Sequence, residues 1–172
     1  MDAQALKQLQ APLKEQYRAE PESALVTLRA TGALTEGISC SVDTGRAIAE
    51  AGLHPASGGD GSQLCSGDML LQALAACAGV TLRAIATSIG VDVRGGTVRV
   101  EGDLDFRGTL GVDKEAPVGF TDIRVGIDLD SDATAEQVAT LERLTHRYCV
   151  IYQSLAQPPE LGLSVATAAI RS

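Results

Sequence analysis

A nearly uninterrupted apolar run constrains this chain more than any other feature. Residues 68–82 read DMLLQALAACAGVTL, and with their neighbours they predict a helix from about Ser66 to about Ser88, ending before Gly90. Ser66 is a candidate N-cap, and Asp68 in the first turn suits the positive end of the helix dipole. The apolar positions leave little polar surface, so we expect this helix at the centre of the fold. They are Leu70, Leu71, Leu74, Cys77, Val80 and Ile85.

The segments before this helix predict a helix, a hairpin and a loop. Residues 3–18 show helical spacing of apolar residues around Pro12. Segments 24–31 and 37–44 alternate apolar and polar residues on either side of the turn sequence TGALTEG, as a β-hairpin does. A further short strand is expected near 46–51, and the Gly- and Ser-rich stretch 54–67 is expected to be a loop.

The segments after the central helix predict two long strands and two more helices. Apolar residues alternate along 91–108 and 118–130, which indicates paired strands with one wet face. Thr134 and Gln137 form a T-x-x-Q capping pattern ahead of a second helix, and 149–157 predicts a short third helix. A final strand is expected over 161–170. This order predicts an α+β fold built on antiparallel sheet.

Composition and charge exclude several classes of function. The 14 Lys and Arg against 22 Asp and Glu give a formal charge of −8, without a basic cluster interleaved with aromatics, so nucleic acid and anionic membrane are poor partners. We read no export signal in MDAQALKQLQAPLKEQYRAE and no apolar stretch of the roughly 20 residues that a membrane span needs. The expected location is cytoplasmic, where thiols stay reduced.

The four cysteines are Cys40, Cys65, Cys77 and Cys149. They form no CxxC pair, and neither His54 nor His146 has the spacing of a zinc ligand, so no metal or other cofactor is predicted. Taken alone, Cys77 is either a small core hydrophobe or a reactive thiol, because free cysteine is among the most buried residue types.

Two segments carry a resemblance to a known family. GGDG–SQLCSGDMLLQALAACAGVTL and THRYCVIYQSL together resemble the OsmC/Ohr superfamily, the osmotically inducible and organic hydroperoxide resistance proteins. In that family a Gly-rich loop leads into a central helix that carries the first cysteine, and a second cysteine lies much later between two helices. The matching residues here are Cys77 and Cys149. The similarity spans roughly 24–170, leaving 1–20 as an N-terminal helical extension and 21–172 as the OsmC-like domain.

The resemblance implies an intertwined homodimer in which antiparallel sheets wrap long central helices. It also implies a thiol-dependent peroxidase for organic hydroperoxides. Cys77 would attack the peroxide, Cys149 would resolve the product as a disulfide, and a dithiol or a lipoylated protein would restore both thiols. In the family a glutamate holds an arginine near the nucleophile. Asp68 matches that glutamate in this chain.

Two departures leave a second function open. Asp68 is one methylene shorter than the glutamate, and TGALTEG lacks the arginine expected in the first hairpin turn, so Arg29 or Arg46 would have to replace it. The alternative is a non-catalytic member that binds a small apolar ligand or senses oxidation, and a third possibility is an interaction module docked through the N-terminal helix. Cys65 is either an extra redox thiol or a packed loop residue, and Cys40 is expected in the core.

Overall fold

The computed structural model describes residues 3–35, 39–42, 51–62 and 64–164. The elements in chain order are α1 (Ala3–Ala19), β1 (Leu25–Thr35), β2 (Ser39–Val42), β3 (Ala51–Gly52), β4 (Leu64–Cys65), α2 (Ser66–Ser88), β5 (Gly95–Asp105), α3 (Phe106–Thr109), β6 (Phe120–Asp130), α4 (Ala135–Tyr148) and α5 (Val150–Ala156). Two 3-10 turns, Pro21–Ala24 and Pro55–Ser57, lie between them. The α+β prediction is confirmed.

One antiparallel sheet forms the base of the described fold. Its strands run in the order β2-β1-β5-β6, and every neighbouring pair is antiparallel. In β5 the even positions from Val98 to Leu104 are buried, whereas Arg99 is exposed and the residues at 101 and 103 are partly exposed. This alternation is what a half-buried strand requires, and the predicted pairing of the two long strands is confirmed.

The central helix α2 lies across β1, β2 and β5 and contacts α4 and α5. Eight of its 23 residues are buried, which accounts for its apolar composition. By length and composition it could also cross a membrane, a test that the core helix of a globular fold passes as well. Its buried surface is made largely of small residues and leucines, whereas Val80, expected inside, is 37% exposed.

Close packing of α2 on the sheet depends on Gly102 in the middle of β5. A Cβ atom at this position would lie 2.6 Å from two ring carbons of Phe120 and 3.2 Å from Leu71 Cδ2. Leu71 is completely buried on α2. The absence of a side chain at residue 102 therefore lets the first turns of α2 approach the sheet.

The outer face of the sheet carries cross-strand ion pairs. Arg99 on β5 pairs with Asp128 on β6, and Arg124 on β6 pairs with Asp103 and Asp122. All five side chains are a third or more exposed, so each pair contributes little to stability on its own.

The N-terminal helix α1 is attached to the turn that precedes α2. Tyr17 is 3% exposed, and its hydroxyl donates a hydrogen bond to the Ala56 carbonyl at 2.5 Å. Gln10 Nε2 donates to the Ser57 carbonyl at 3.1 Å. Pro12 lies inside this helix without ending it.

Several sequence-based boundaries are wrong. The supposed turn TGALTEG is largely strand, because β1 continues to Thr35 and its Gly32 pairs with both Val42 and Val98; the ladders on both sides override the local turn signal. Cys65, not Ser66, is the N-cap of α2, and it makes no side-chain capping bond. Of the expected strand near 46–51, residues 46–50 lie outside the described part, and Ala51–Gly52 pairs in parallel with β4.

The C-terminal prediction is also partly wrong. Residues 161–164 form no strand, and Leu161 and Leu163 are almost fully exposed; residues 165–170 lie outside the described part. By contrast, the Thr134–Gln137 capping box is present in both directions, and the helices that follow it are confirmed.

Candidate functional site

The structure brings Cys77 and Cys149 together although 72 residues separate them. Cys77 lies in the middle of α2 and is partly buried against the core. Cys149 is 1% exposed and lies at the single-residue break between α4 and α5, where its extended backbone (φ −71°, ψ 108°) ends one helix and begins the next. Both are free thiols.

The break at Cys149 supplies hydrogen-bond donors to Cys77. The first N–H groups of any helix lack partners within that helix, and those of Val150 and Ile151 at the start of α5 face the Cys77 sulfur. Cys77 Sγ also lies 4.0 Å from the hydroxyl of Thr81, one turn further along α2. Burial raises the pKa of Cys77. The N–H groups, the Cys149 thiol and the Thr81 hydroxyl outweigh it, so the net pKa falls below that of an ordinary thiol.

The pKa of Cys149 moves in the opposite direction. Burial raises it most, the hydrogen bond and the negative charge of Cys77 raise it further, and the N–H groups of Tyr152 and Ile151 oppose this only in part. The result is a pKa of about 11. In a neighbouring pair of this kind, the sulfur that ionises readily can act as the nucleophile. The sulfur that stays protonated can act afterwards as the resolving thiol.

Asp68 does not join the cysteine pair. It lies nine residues before Cys77 on the same helix, which corresponds to about 13.5 Å along the axis and to roughly the opposite side of the helix. Burial raises the pKa of Asp68, and the nearby His54 partly offsets this. His54 stacks on Phe106 with ring centroids 5.0 Å apart and accepts a hydrogen bond from the Ala56 N–H at Nδ1.

The two arginines that could replace the missing turn arginine are Arg29 and Arg46. Arg29 lies on β1 opposite Glu101, and Arg46 is outside the described part of the chain. His146 is exposed on α4 and packs its ring on Tyr152. Over 3–35, 39–42, 51–62 and 64–164, the influences that set the Cys77 pKa are burial and hydrogen bonds. Among these, hydrogen bonds from the backbone amides and from Thr81 lower the pKa of Cys77.

The remaining cysteines lie at the start of α2 and on β2. Cys65 is the partly buried N-cap of α2, twelve positions before Cys77, and Cys40 lies in β2 opposite Leu34. Within the described residues, no three His, Cys, Asp or Glu side chains gather as a metal site would require.

An apolar groove of about 560 Å³ opens beside Cys149. Its floor is the inner face of β6 with Ala78 and Leu82 of α2, and α4 forms the opposite wall. Thr145 also lines it; this residue is 7% exposed, and its hydroxyl has no hydrogen-bond partner in the described structure. The rim carries charged and polar groups, namely Glu142, Arg143 and His146.

Sequence reasoning missed Thr81, the amides of Val150 and Ile151, and Thr145. Thr81 could have been found, because residues four apart share one face of a helix. The amides give no sequence signal, since every residue except proline has one. The groove depends on how β6 and α4 are placed around α2.

The comparisons with known proteins agree with this fold. A family model described as OsmC-like protein matches residues 59–164. Among solved structures, the chain is similar to an OsmC-like hydroperoxide resistance protein from Jannaschia sp. CCS1, with 16% sequence identity and a TM-score of 0.62, covering 85% of this chain and 96% of that one. At this identity the likeness concerns the fold. No curated protein matches the chain.

Proposed function

Because this chain belongs to the OsmC-like protein family, we propose that it is a thiol-dependent peroxidase that reduces organic hydroperoxides through a two-cysteine redox cycle. The observation that carries the proposal is the meeting of Cys77 and Cys149 with pKa shifts of opposite sign.

The chemistry follows from these two sulfurs. The Cys77 thiolate attacks one peroxide oxygen, the O–O bond breaks, and the departing alkoxide takes up a proton to leave as an alcohol. Cys77 is then a sulfenic acid. Cys149 attacks its sulfur and loses its own proton, so that water leaves and a Cys77–Cys149 disulfide forms. A dithiol, such as a lipoylated protein, returns two electrons by thiol–disulfide exchange.

The groove supports an organic substrate. Its floor is formed by apolar side chains of β6 and α2, and Cys149 lies on its wall. An apolar pocket of this size suits a small organic molecule better than hydrogen peroxide, which offers no apolar surface to bury.

The assembly is also part of the proposal. We expect a homodimer whose sheets wrap the two central helices, as the family resemblance implies, and a reducing cytoplasmic location that keeps both thiols available.

The positioning role of Asp68 stays a prediction. Replacing Asp68 by Asn tests it, and an unchanged Cys77 reactivity would remove Asp68 from the site.

The decisive experiment follows the oxidation of each cysteine in time. The reduced protein is mixed with one equivalent of cumene hydroperoxide, quenched, and mapped by mass spectrometry. We expect rapid sulfenic acid at Cys77, followed by the Cys77–Cys149 disulfide. Cys77→Ser should abolish peroxide consumption, Cys149→Ser should trap the sulfenic acid, and Cys65→Ser is the matched control that should change neither. Slow oxidation scattered over all cysteines would refute the proposal.

A second candidate function rests on the groove itself. The buried Thr145 hydroxyl, which has no hydrogen-bond partner among the described residues, favours a non-catalytic protein that binds a small apolar ligand or senses oxidation. In that case apolar ligands should raise the melting temperature of wild type and Cys77→Ser equally, and peroxide should not be consumed.

A further inference from the structure

Thr81 lies on the same face of α2 as Cys77. The two residues are four positions apart, so one helical turn places the hydroxyl beside the thiol, and Thr81 Oγ1 is 4.0 Å from Cys77 Sγ. Thr81 is partly buried, which limits the water that competes for its hydroxyl.

The partner of this hydroxyl is unusual for a threonine inside a helix. Thr87, six residues later on α2, donates its hydroxyl hydrogen bond to the Arg83 carbonyl four residues back, at 2.9 Å. That backbone bond is the common arrangement for helical Ser and Thr. For Thr81, the hydrogen bond found in the described structure is the one to the Cys77 sulfur.

We propose that Thr81 is a positioning residue for the nucleophile, whose hydroxyl donates a hydrogen bond to the Cys77 thiolate and holds the sulfur toward the amides of Val150 and Ile151. This role rests on the proposed function, because it concerns the same sulfur. In this proposal a neutral hydrogen-bond donor on α2 supplies part of the thiolate stabilisation that the resemblance gives to an arginine. The thiolate is then held from two directions, by α2 itself and by the start of α5.

The proposal predicts a change in the protonation of Cys77. A hydrogen bond to the charged form of a group favours that form, so its loss must raise the pKa of Cys77. One ordinary hydrogen bond corresponds to a factor of about two to ten in an equilibrium constant. We therefore expect Thr81→Val to shift the midpoint of the Cys77 reactivity profile to higher pH by up to about one unit.

The experiment compares three variants of one helix. Site-resolved alkylation of Cys77 is measured against pH in wild type, Thr81→Val, Thr81→Ser and Thr87→Val, with melting temperatures recorded in parallel. Thr81→Val should shift the midpoint upward, and Thr81→Ser, which keeps the hydroxyl, should restore it. Thr87→Val makes the same chemical change at a hydroxyl bonded to a carbonyl and should leave the midpoint unchanged. If Thr81→Val fails to fold, Thr81→Ala replaces it.

Two results would overturn the inference. They are equal midpoints in Thr81→Val and Thr87→Val, and a Thr81→Ser variant that behaves like Thr81→Val, which would assign the effect to packing. Failure of the proposed function looks different. In that case wild type consumes no hydroperoxide, yet the shift in the Cys77 midpoint and its rescue by serine still appear.

Discussion

Removal of the Cys77 sulfur should make Cys149 more reactive. Two of the influences that raise the pKa of Cys149, the hydrogen bond and the charge of Cys77, disappear in Cys77→Ala. With a pKa of about 11, only about one Cys149 in a thousand is a thiolate at about pH 8, against roughly a quarter of an ordinary thiol. In wild type, Cys149 and Cys77 should therefore be alkylated at very different rates.

Two opposing effects set the size of the change. Each unit by which the pKa of Cys149 falls raises its thiolate fraction about tenfold. The same unit lowers the intrinsic nucleophilicity about threefold, since the Brønsted coefficient is about 0.4–0.5. The gain in thiolate fraction is larger than the loss of nucleophilicity, so each unit by which the pKa falls should raise the alkylation rate of Cys149 roughly three- to fourfold.

The assay is alkylation by iodoacetamide with each cysteine resolved by mass spectrometry. In wild type we expect Cys77 to react far ahead of Cys149, which is also nearly inaccessible. Cys77→Ser serves as the control for opened space, because it fills most of the volume but carries no charge, and it should also accelerate Cys149. If Cys149 reacts as fast as Cys77 in wild type, or more slowly in both variants, the coupling described here is wrong.

Three further predictions concern stability. Gly102→Ala should lower the free energy of unfolding by about 1–3 kcal/mol in urea titrations, because its Cβ would meet the Phe120 ring; Gly126→Ala on the neighbouring strand, with open space around it, should not. Thr145→Val should raise the free energy of unfolding by about 1 kcal/mol, since it removes a buried hydroxyl without a partner; a loss would mean that a ligand or a second copy bonds that hydroxyl. Asp105, buried and bonded by Arg107, has a pKa held below its usual range by that bond, against an opposing effect of burial. Its carboxylate should therefore stabilise the fold above its unfolded pKa of about 3.9, and this contribution should be lost as the pH falls through its lower folded pKa. Asp105→Asn should lower the free energy of unfolding by about 1.5–3 kcal/mol at neutral pH, and this loss relative to wild type should shrink in acid. A loss that does not change with pH would contradict this.

Strong periodicity made most of the fold predictable. The bounds of α2, the pairing of β5 with β6 and the capped start of α4 all follow from local patterns. The extension of β1 to Thr35 does not, because Gly32 takes its strand conformation from partners in β2 and β5. A turn signal of this kind weighs less than two hydrogen-bonded ladders.

The candidate site was less accessible from the sequence. The pairing of Cys77 with Cys149 came only from the family resemblance, since no local rule joins residues 72 positions apart. Helix arithmetic alone would have separated Asp68 from Cys77 and would have joined Thr81 to it. The pKa of each thiol depends on amides at the start of α5, and therefore on where one helix ends and the next begins.

The ion pairs on the outer face of the sheet favour the same register of β6 as its apolar inner face does. Ile123, Val125, Ile127 and Leu129 pack inward, so a slip of one residue would turn all four toward water. The same slip would separate Arg99 from Asp128 and Arg124 from Asp103. Each ion pair adds only a small amount to the free energy of the correct alignment, but an incorrect alignment loses the ion pairs together with the burial of the apolar face. The ion pairs therefore act on which register the strand adopts when it joins the sheet.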